Sequence, residues 1–501
     1  MTKNRIFIFL FIGSLFNAVF WNELNKNNLQ HDRKELRQNS TVITNDDYSY
    51  LNPFDNLINH GSLYANNLEK YTSIIRPPGY GSIYLFCVLL FGKTKSLFFL
   101  FLFQCILFSI SVILLYQISE IILKSKTLGL IVAIIYGFLP FSISFLNYSL
   151  TEGVTPALLI IYVYFLTKGN INEETKAKYY ILAAITFSVI LIIRPQLGIF
   201  ILPLIFLLIN DYFSTKDSLT FIKRTLMIFL ISFSLFSFWE IRNKIVLGHW
   251  TELHPIYQNE IPGLFRLPHQ SAWEFFKQWE TSGKHFHETL VPFWENTMKL
   301  DSSSKNINDF IHRIPNKVLK TIGANKLVDA LQSYQKAIID QKTYFDSKTI
   351  MPSIPLRSEI IASEKFNQLS VSYKSKQILN SYFLTPLNIL KSMIFHSNLS
   401  LYQFQVSFRG NWVMEFLRFI ALIIHSTIYF TLPMAIFFCR KNKLIVSFII
   451  PILMYLFYLT YFQRGIEERY TLVLLPFLIL IAFSSFQNIH IRIQHYYKVN
   501  I

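Results

Sequence analysis

Two adjacent carboxylates, Asp46 and Asp47, and an arginine some way behind them, Arg76, are the first residues of this chain whose types could do chemistry. They lie in the stretch 45–84, the first substantial polar segment after an apolar run at 6–21. Arg76 leads into Pro77-Pro78-Gly79-Tyr80. The two prolines fix an extended turn and the glycine permits a tight bend, so the guanidinium would be held stiffly. A carboxylate beside a bilayer, with few charged neighbours, can act as a general base or hold a metal. A guanidinium suits phosphate, because its planar fork bonds two oxygens at once. Plainer roles stay open. Asn45 or Asp46 can cap a helix that begins near Tyr48, and Arg76 can snorkel to lipid headgroups.

Further charged residues stand at the ends of later apolar runs. They are Thr151-Glu152, Arg194-Pro195, Arg242 and Asn243 just after Trp239, and Glu467-Glu468-Arg469-Tyr470. A carboxylate at the end of a membrane span is costly unless it faces a polar cavity. Singly these residues are weak signals, since arginines flank spans routinely. His60, His285 and His287 sit alone in polar segments, and no spacing of His, Cys, Asp and Glu argues for a dedicated metal site. Glycine-rich phosphate loops of either common type are absent as well. The sequence therefore implies neither a metal nor a cofactor.

The elements that must position these residues are membrane spans. Apolar residues make up 52% of the chain and aromatic residues 17%, a composition rare in soluble domains. Repeated apolar runs near ~20 residues read as transmembrane helices. Ten are expected, at 6–21, 96–123, 128–148, 153–167, 179–193, 198–209, 226–239, 412–438, 444–461 and 471–486. The first is read as an uncleaved span, because no small-residue cleavage site follows it. The net charge of +17 sits largely at span ends and forms no basic patch with interleaved aromatics, so no nucleic-acid partner is expected. Cys87, Cys105 and Cys439 all fall in apolar segments, which supports neither a disulfide framework nor a zinc site.

A further apolar piece, 79–91, decides the topology, for if it crossed the membrane every later segment would invert. With this piece kept as a juxtamembrane helix, the short loops bearing Lys124 and Lys126, Lys168 to Lys178, Lys216 to Arg224, Arg440 to Lys443, and Arg492 all fall inside, together with Lys3 and Arg5. That is a consistent positive-inside pattern. The piece is also too short for a comfortable span. Every charged motif above then faces the same, non-cytoplasmic side, and that coincidence is the signal. A polyprenyl-phosphate sugar would explain it: a lipid tail needs a groove between spans, its phosphate needs arginines at the interface, and the sugar and acceptor need an aqueous pocket with a base.

The order Asp46-Asp47-Tyr48-Ser49-Tyr50, Asn56-Leu57, Gly61 and Arg76-Pro77-Pro78-Gly79-Tyr80 resembles the first outer loop of the GT-C glycosyltransferases, in the bacterial branch similar to protein O-mannosyltransferases and lipid A aminoarabinose transferases. Thr151-Glu152, Arg194-Pro195, Trp239 to Asn243 with Gly248, and Glu468-Arg469-Tyr470 with Pro476 follow in matching order. The resemblance implies an all-α polytopic membrane protein: a GT-C-like bundle of about ten transmembrane helices, a juxtamembrane first outer loop and a small, mainly helical outer domain. It divides into a seven-span module over 1–245 with its outer loop at 22–95, an extracytoplasmic segment 246–384 and C-terminal transmembrane helices over 385–501. It implies a multi-pass protein of the plasma (inner) membrane whose active site faces the periplasm or cell exterior. The activity implied is sugar transfer from a polyprenyl-phosphate donor to a glycan, lipid or protein acceptor, with inversion at the anomeric carbon.

Carried over residue by residue, Asp46 is the catalytic carboxylate and Asp47 the next candidate. Arg76, Arg242 and Arg469 are candidates for the donor phosphate, Glu152 supports the pocket, and Tyr50, Arg194 and Tyr470 complete the substrate-binding set. Two departures stand out. Gly81 occupies a place where many relatives carry another proline, and the segment between Trp250 and Leu384 matches no motif. Two other functions fit the residues less well. A transporter or flippase of lipid-linked sugars would place polar residues near mid-membrane, often in repeated halves. An O-antigen polymerase or ligase would use a diphosphate donor.

Overall fold

The computed structural model describes residues 2–32, 45–66, 69–74, 76–248, 250–251, 266–281, 283–300, 303–395, 410–440, 442–464 and 468–500. Among them every regular element is helical and none is a strand. Apolar runs in hydrocarbon demand this, because a spanning backbone must satisfy its own hydrogen bonds. Among the described residues eight helical stretches are long and apolar enough to cross a bilayer: Lys3–Glu23, Lys93–Leu123, Lys176–Ile193, Pro195–Thr215, Ser218–Leu247, Trp412–Phe438, Lys443–Gln463 and Arg469–Tyr496. The expected spans at 128–148 and 153–167 fall on shorter helices, Lys126–Phe138 and Thr155–Ile171, both packed into the main apolar core.

Helix reversals give the bundle two ends. At one, Lys3 lies 3.6 Å from Glu120, Gln487 donates to the Leu123 carbonyl at 2.8 Å, and Asp211 sits 3.1 Å from Lys176. The short basic connections around Lys124, Lys216 and Arg440 fall at this end. The other end gathers Asp46, Glu152, Arg194 and Arg469.

The piece at 79–91 is a helix, Gly79–Phe91, that reverses at Gly92 (φ 76°) into the 31-residue helix Lys93–Leu123. The two pack side by side, with Phe91 stacked on Phe99 at 3.6 Å and the Tyr80 hydroxyl donating to Gln104 Oε1 at 3.0 Å. At ~1.5 Å per residue, Gln104 lies about 28 Å along its helix from Leu123. That is nearly the whole ~30 Å of a hydrocarbon core. The hairpin therefore packs on the part of the long helix far from Leu123, at the site's end of the bundle.

Between Ser218–Leu247 and Trp412–Phe438, the fifth and sixth of the long helices, the chain builds a helical lobe with its own core. Phe275, Phe276, Phe293, Phe310, Leu331 and Phe366 fill it. The Arg266 guanidinium is buried there against the Glu359 carboxylate, which also accepts from Gln341 at 2.7 Å and from the Leu356 backbone at 2.7 Å. The lobe is tied to the last connection at the site end. Lys277 Nζ donates to the Phe462 carbonyl (2.9 Å), and Arg464 donates to the carbonyls of Lys277 (2.5 Å) and Ser381 (2.8 Å).

Candidate active site

Asp46 and Asp47 stand in the first turn of the helix Asn45–His60. Neighbours on an α-helix point about 100° apart, so the two carboxylates cannot share a face. Asp46 looks into a cavity, whereas Asp47 is fully buried and is not among the residues lining it. The Asp46 carboxylate accepts from two guanidinium groups, Arg76 Nη2 to Oδ1 at 3.2 Å and Arg469 Nη2 to Oδ2 at 2.7 Å. Arg76 is aimed by two further contacts. Its Nε donates to Ser49 Oγ at 3.2 Å, and its guanidinium lies 5.0 Å from the centre of the Tyr50 ring. Tyr50 in turn packs edge-on against Tyr80. Tyr80 is anchored on Gln104, whose amide donates to the Leu146 and Tyr148 carbonyls.

Gly81 makes this packing possible. A Cβ there would fall 2.1 Å from the Phe54 ring and 2.7 Å from the Tyr50 carbonyl. The Asn45–His60 helix is thus pressed directly onto the backbone of the Gly79–Phe91 helix. Gly153 is similar, since a Cβ there would collide with the Gln104 amide at 2.1 Å.

Glu152 opens the lower half of the site from a short helical turn, Thr151–Gly153, ahead of the Thr155–Ile171 helix. It is buried and lies 2.9 Å from Arg194 Nη1 and 3.7 Å from Arg469 Nε. Arg194 is supplied where the Lys176–Ile193 helix stops before Pro195, and it also donates to Thr151 Oγ1 at 3.4 Å. The Tyr470 ring lies against both arginines, 5.0 Å from Arg194 and 5.5 Å from Arg469. A continuous chain results: Arg76, Asp46, Arg469, Glu152, Arg194.

Charge decides the protonation states. Burial pushes the Asp46 carboxyl up, but Arg469 and Arg76 more than offset it and hold the pKa below the ordinary carboxylate value. Burial likewise opposes ionisation of Glu152, and Arg194 and Arg469 together lower it. Arg194, desolvated to the same degree, is held charged by Glu152. Both acids are carboxylates at neutral pH.

The cavity has a volume of about 110 Å³. It is lined by the five ionic residues and by the apolar side chains of Ile74, Leu150, Ile193, Phe236 and Trp239. Glu240 also lines it, and its carboxylate accepts from Thr251 through both Oγ1 (2.6 Å) and the backbone N–H (3.0 Å). Among the described residues no three His, Cys, Asp or Glu side chains come together as a metal site would need.

The structure thus brings together Asp46, Tyr50, Arg76, Glu152, Arg194, Arg469 and Tyr470 of the residues expected from sequence. It sets two aside. Asp47 is behind the helix face, and Arg242 lies over the Trp239 ring at 5.1 Å and donates to Asn243, next to the cavity without lining it. The side chains of Glu467 and Glu468 lie outside what is described. His285 pairs with Glu280 in the helical lobe. Sequence reading passed over Gln104, which had no charge to mark it within its apolar run, and the Glu240–Thr251 clamp.

Residues 75–239 match the family model described as dolichyl-phosphate-mannose-protein mannosyltransferase. The likeness to GT-C glycosyltransferases read from the motifs is met there over a third of the chain, a stretch that holds Arg76, Glu152 and Arg194. Asp46 and Arg469 lie outside it. Among solved structures, ArnT from Cupriavidus metallidurans bound to undecaprenyl phosphate is similar at 10% identity and a TM-score of 0.33, covering 96% of this chain and 77% of its own. The apo structure of the same protein gives 12% identity and a TM-score of 0.28, covering 89% and 73%. The comparison with curated proteins gives no match.

Proposed function

We propose that this protein is an integral-membrane glycosyltransferase that moves a sugar from a polyprenyl-phosphate donor to an acceptor on the non-cytoplasmic face, with Asp46 as the base. The observation that carries this reading is the position of the Asp46 carboxylate between Arg76 and Arg469, in a cavity lined by apolar as well as ionic side chains. The family match at 75–239 and the gathering of short basic loops at the opposite end of the bundle support it.

The charges suit a lipid-phosphate sugar. Among the ion-paired residues three guanidinium groups face Asp46 and Glu152, one positive charge in excess, while the third carboxylate lining the cavity, Glu240, accepts from Thr251. A sugar phosphodiester carries one negative charge. Its phosphate oxygens compete with the Asp46 carboxylate for Arg76 and Arg469, as charge-assisted and forked bonds favour. Glu152 keeps Arg194 and orients Arg469 from below. Once the phosphate shares its arginines, Asp46 loses the groups that depress its pKa and becomes a better proton acceptor.

The acceptor hydroxyl oxygen bonds to the anomeric carbon from the face opposite the phosphate, and its proton passes to Asp46. The bond between the anomeric carbon and the phosphate oxygen breaks, and its electron pair leaves with the polyprenyl phosphate. The arginines stabilise the charge that gathers on that oxygen in the transition state. One attack from the opposite face inverts the anomeric centre.

The test offers the purified protein polyprenyl-monophosphate and polyprenyl-diphosphate sugars side by side, with sealed vesicles as a control for movement without reaction. Consumption of the monophosphate donor and release of polyprenyl phosphate is the expected result. Use of the diphosphate alone, or movement of an unconsumed lipid-linked sugar, would overturn the reading.

A further inference from the structure

Where the helical lobe returns to the bundle, a cluster of lysines gives way directly to an apolar helix. The Arg357–Lys376 helix ends in Lys374 and Lys376. Lys376 Nζ donates to the Thr321 carbonyl at 2.9 Å, which sets it at the end of the Asn316–Ile322 helix beside Lys317 and Lys320. The three lysines are exposed around one shallow depression that no carboxylate lines. Three ammonium groups so placed repel one another unless an anion lies between them.

The next residues, 378–395, form one helical run. Its inner side carries Ser381, Thr385, Ile389 and Met393, spaced four apart and all buried. Ser381 donates to Gln278 and its carbonyl accepts from Arg464, at the site end of the bundle. Twelve residues on, the Met393 carbonyl lies 3.1 Å from the ring of His425, near the middle of the Trp412–Phe438 helix. The run therefore descends along the bundle from the site end. Its outer side is Ile378, Leu379, Tyr382, Phe383, Leu384 and Leu387, each between 44% and 64% exposed. The stripe of Leu379, Phe383 and Leu387 ends at Lys391, whose flexible stem can carry its ammonium along the surface.

An apolar strip of this size facing water would be unusual for a soluble surface. Here it continues the apolar outer surface of the spanning helices, such as Phe416, Phe419 and Ile423 of Trp412–Phe438. Basic residues just above an apolar face are the pattern of a helix seated at the boundary of an anionic membrane. We infer that the outer side of the 378–395 helix lies in the leaflet on the site's side, with Lys317, Lys320 and Lys376 on the headgroup phosphates of anionic phospholipids in that leaflet. The helical lobe is thereby seated on lipid as well as on the Lys277–Phe462–Arg464 junction. This holds whatever reaction the cavity performs.

The test uses the full chain in nanodiscs. All three native cysteines are buried, which keeps the background low. Leu379→Cys and Phe383→Cys are compared with Ile354→Cys, a lobe position 77% exposed and far from the lysines in sequence. With a water-soluble maleimide, positions 379 and 383 are expected to react about tenfold more slowly than 354 in discs containing anionic lipid. A fluorophore at 379 is expected to be quenched by nitroxide-bearing lipid. Adding Lys317→Gln, Lys320→Gln and Lys376→Gln speeds reaction at 379 several-fold in anionic discs and leaves it unchanged in zwitterionic ones. A melting temperature matching the parent shows that this variant is folded, and each single Lys→Gln change repeats the test if it is not. Equal reactivity at 379 and 354 overturns the inference. Slow reaction without quenching overturns it in favour of a covering protein surface, and indifference to anionic lipid overturns the headgroup assignment.

Discussion

Arg469→Met removes a cation that touches both carboxylates of the site while keeping most of the side chain's length. The lost contacts are the 2.7 Å bond to Asp46 and the 3.7 Å approach to Glu152. Each carboxylate keeps one partner, Arg76 at 3.2 Å and Arg194 at 2.9 Å. At an effective dielectric near 20, a pair 4 Å apart is worth about 4 kcal/mol before desolvation. The Asp46 side chain is 38% exposed, so solvent screens much of that, and both acids remain paired. The cost to folding should be about 1–2 kcal/mol. The cost to the reaction should be larger. A preorganised donor aimed at charge that develops in the transition state is worth about 3–4 kcal/mol, on the order of 10²–10³-fold in kcat/KM. The assay is transfer from a polyprenyl-phosphate sugar by purified protein, run beside a thermal melt. A folded Arg469→Met protein within about tenfold of wild-type kcat/KM would refute the reasoning. Arg469→Lys, which keeps the charge and loses the fork, should fall between the two.

Three further outcomes follow from the same geometry. Asp46 has a lowered pKa in the free protein, so its ion pairs contribute fully above the ordinary carboxylate value and are lost as pH falls through the lower one. The acid limb of kcat/KM should therefore lie below the usual carboxylate range, and the limb of kcat should lie higher, because donor phosphate takes the arginines; identical limbs would contradict the exchange. Glu152→Gln strands the buried Arg194 guanidinium and should destabilise the protein by about 3–5 kcal/mol, with Arg194→Met in the same chain recovering part of the loss in a melt. Gly81→Ala forces a Cβ onto the Phe54 ring and should cost about 1–3 kcal/mol, read as a lower melting temperature and faster proteolysis near the Asn45–His60 helix.

Eight of the ten expected spans were legible because length and apolar composition dictate them, and lysines and arginines, which mark loop sides, gave the expectation for Gly79–Phe91. The motifs around Asp46, Arg76, Glu152 and Arg194 could be found because charge at a span end is conspicuous. The pairings could not be found. Arg469 reaches Asp46 across 423 residues of sequence, and only the closed bundle sets one against the other. Asp46 was placed ahead of Asp47 only through the resemblance, since the physical choice depends on which side of one helix turn meets the cavity. Arg242 stood before Arg469 among the phosphate candidates, but Trp239 and Asn243, one helical turn apart, take the face toward the bundle and leave Arg242 beside it. The helical lobe carried no motif to read; its amphipathic helices bury a phenylalanine-rich core that composition alone could not order.

The most direct measurement compares sugar transfer by wild type, Asp46→Asn and Asp47→Asn, each inserted in membranes and checked for folding. The account predicts that Asp46→Asn abolishes transfer while polyprenyl-phosphate sugar still binds, and that Asp47→Asn acts chiefly on stability. Normal transfer by Asp46→Asn, with Asp47→Asn equally harmless, would contradict it.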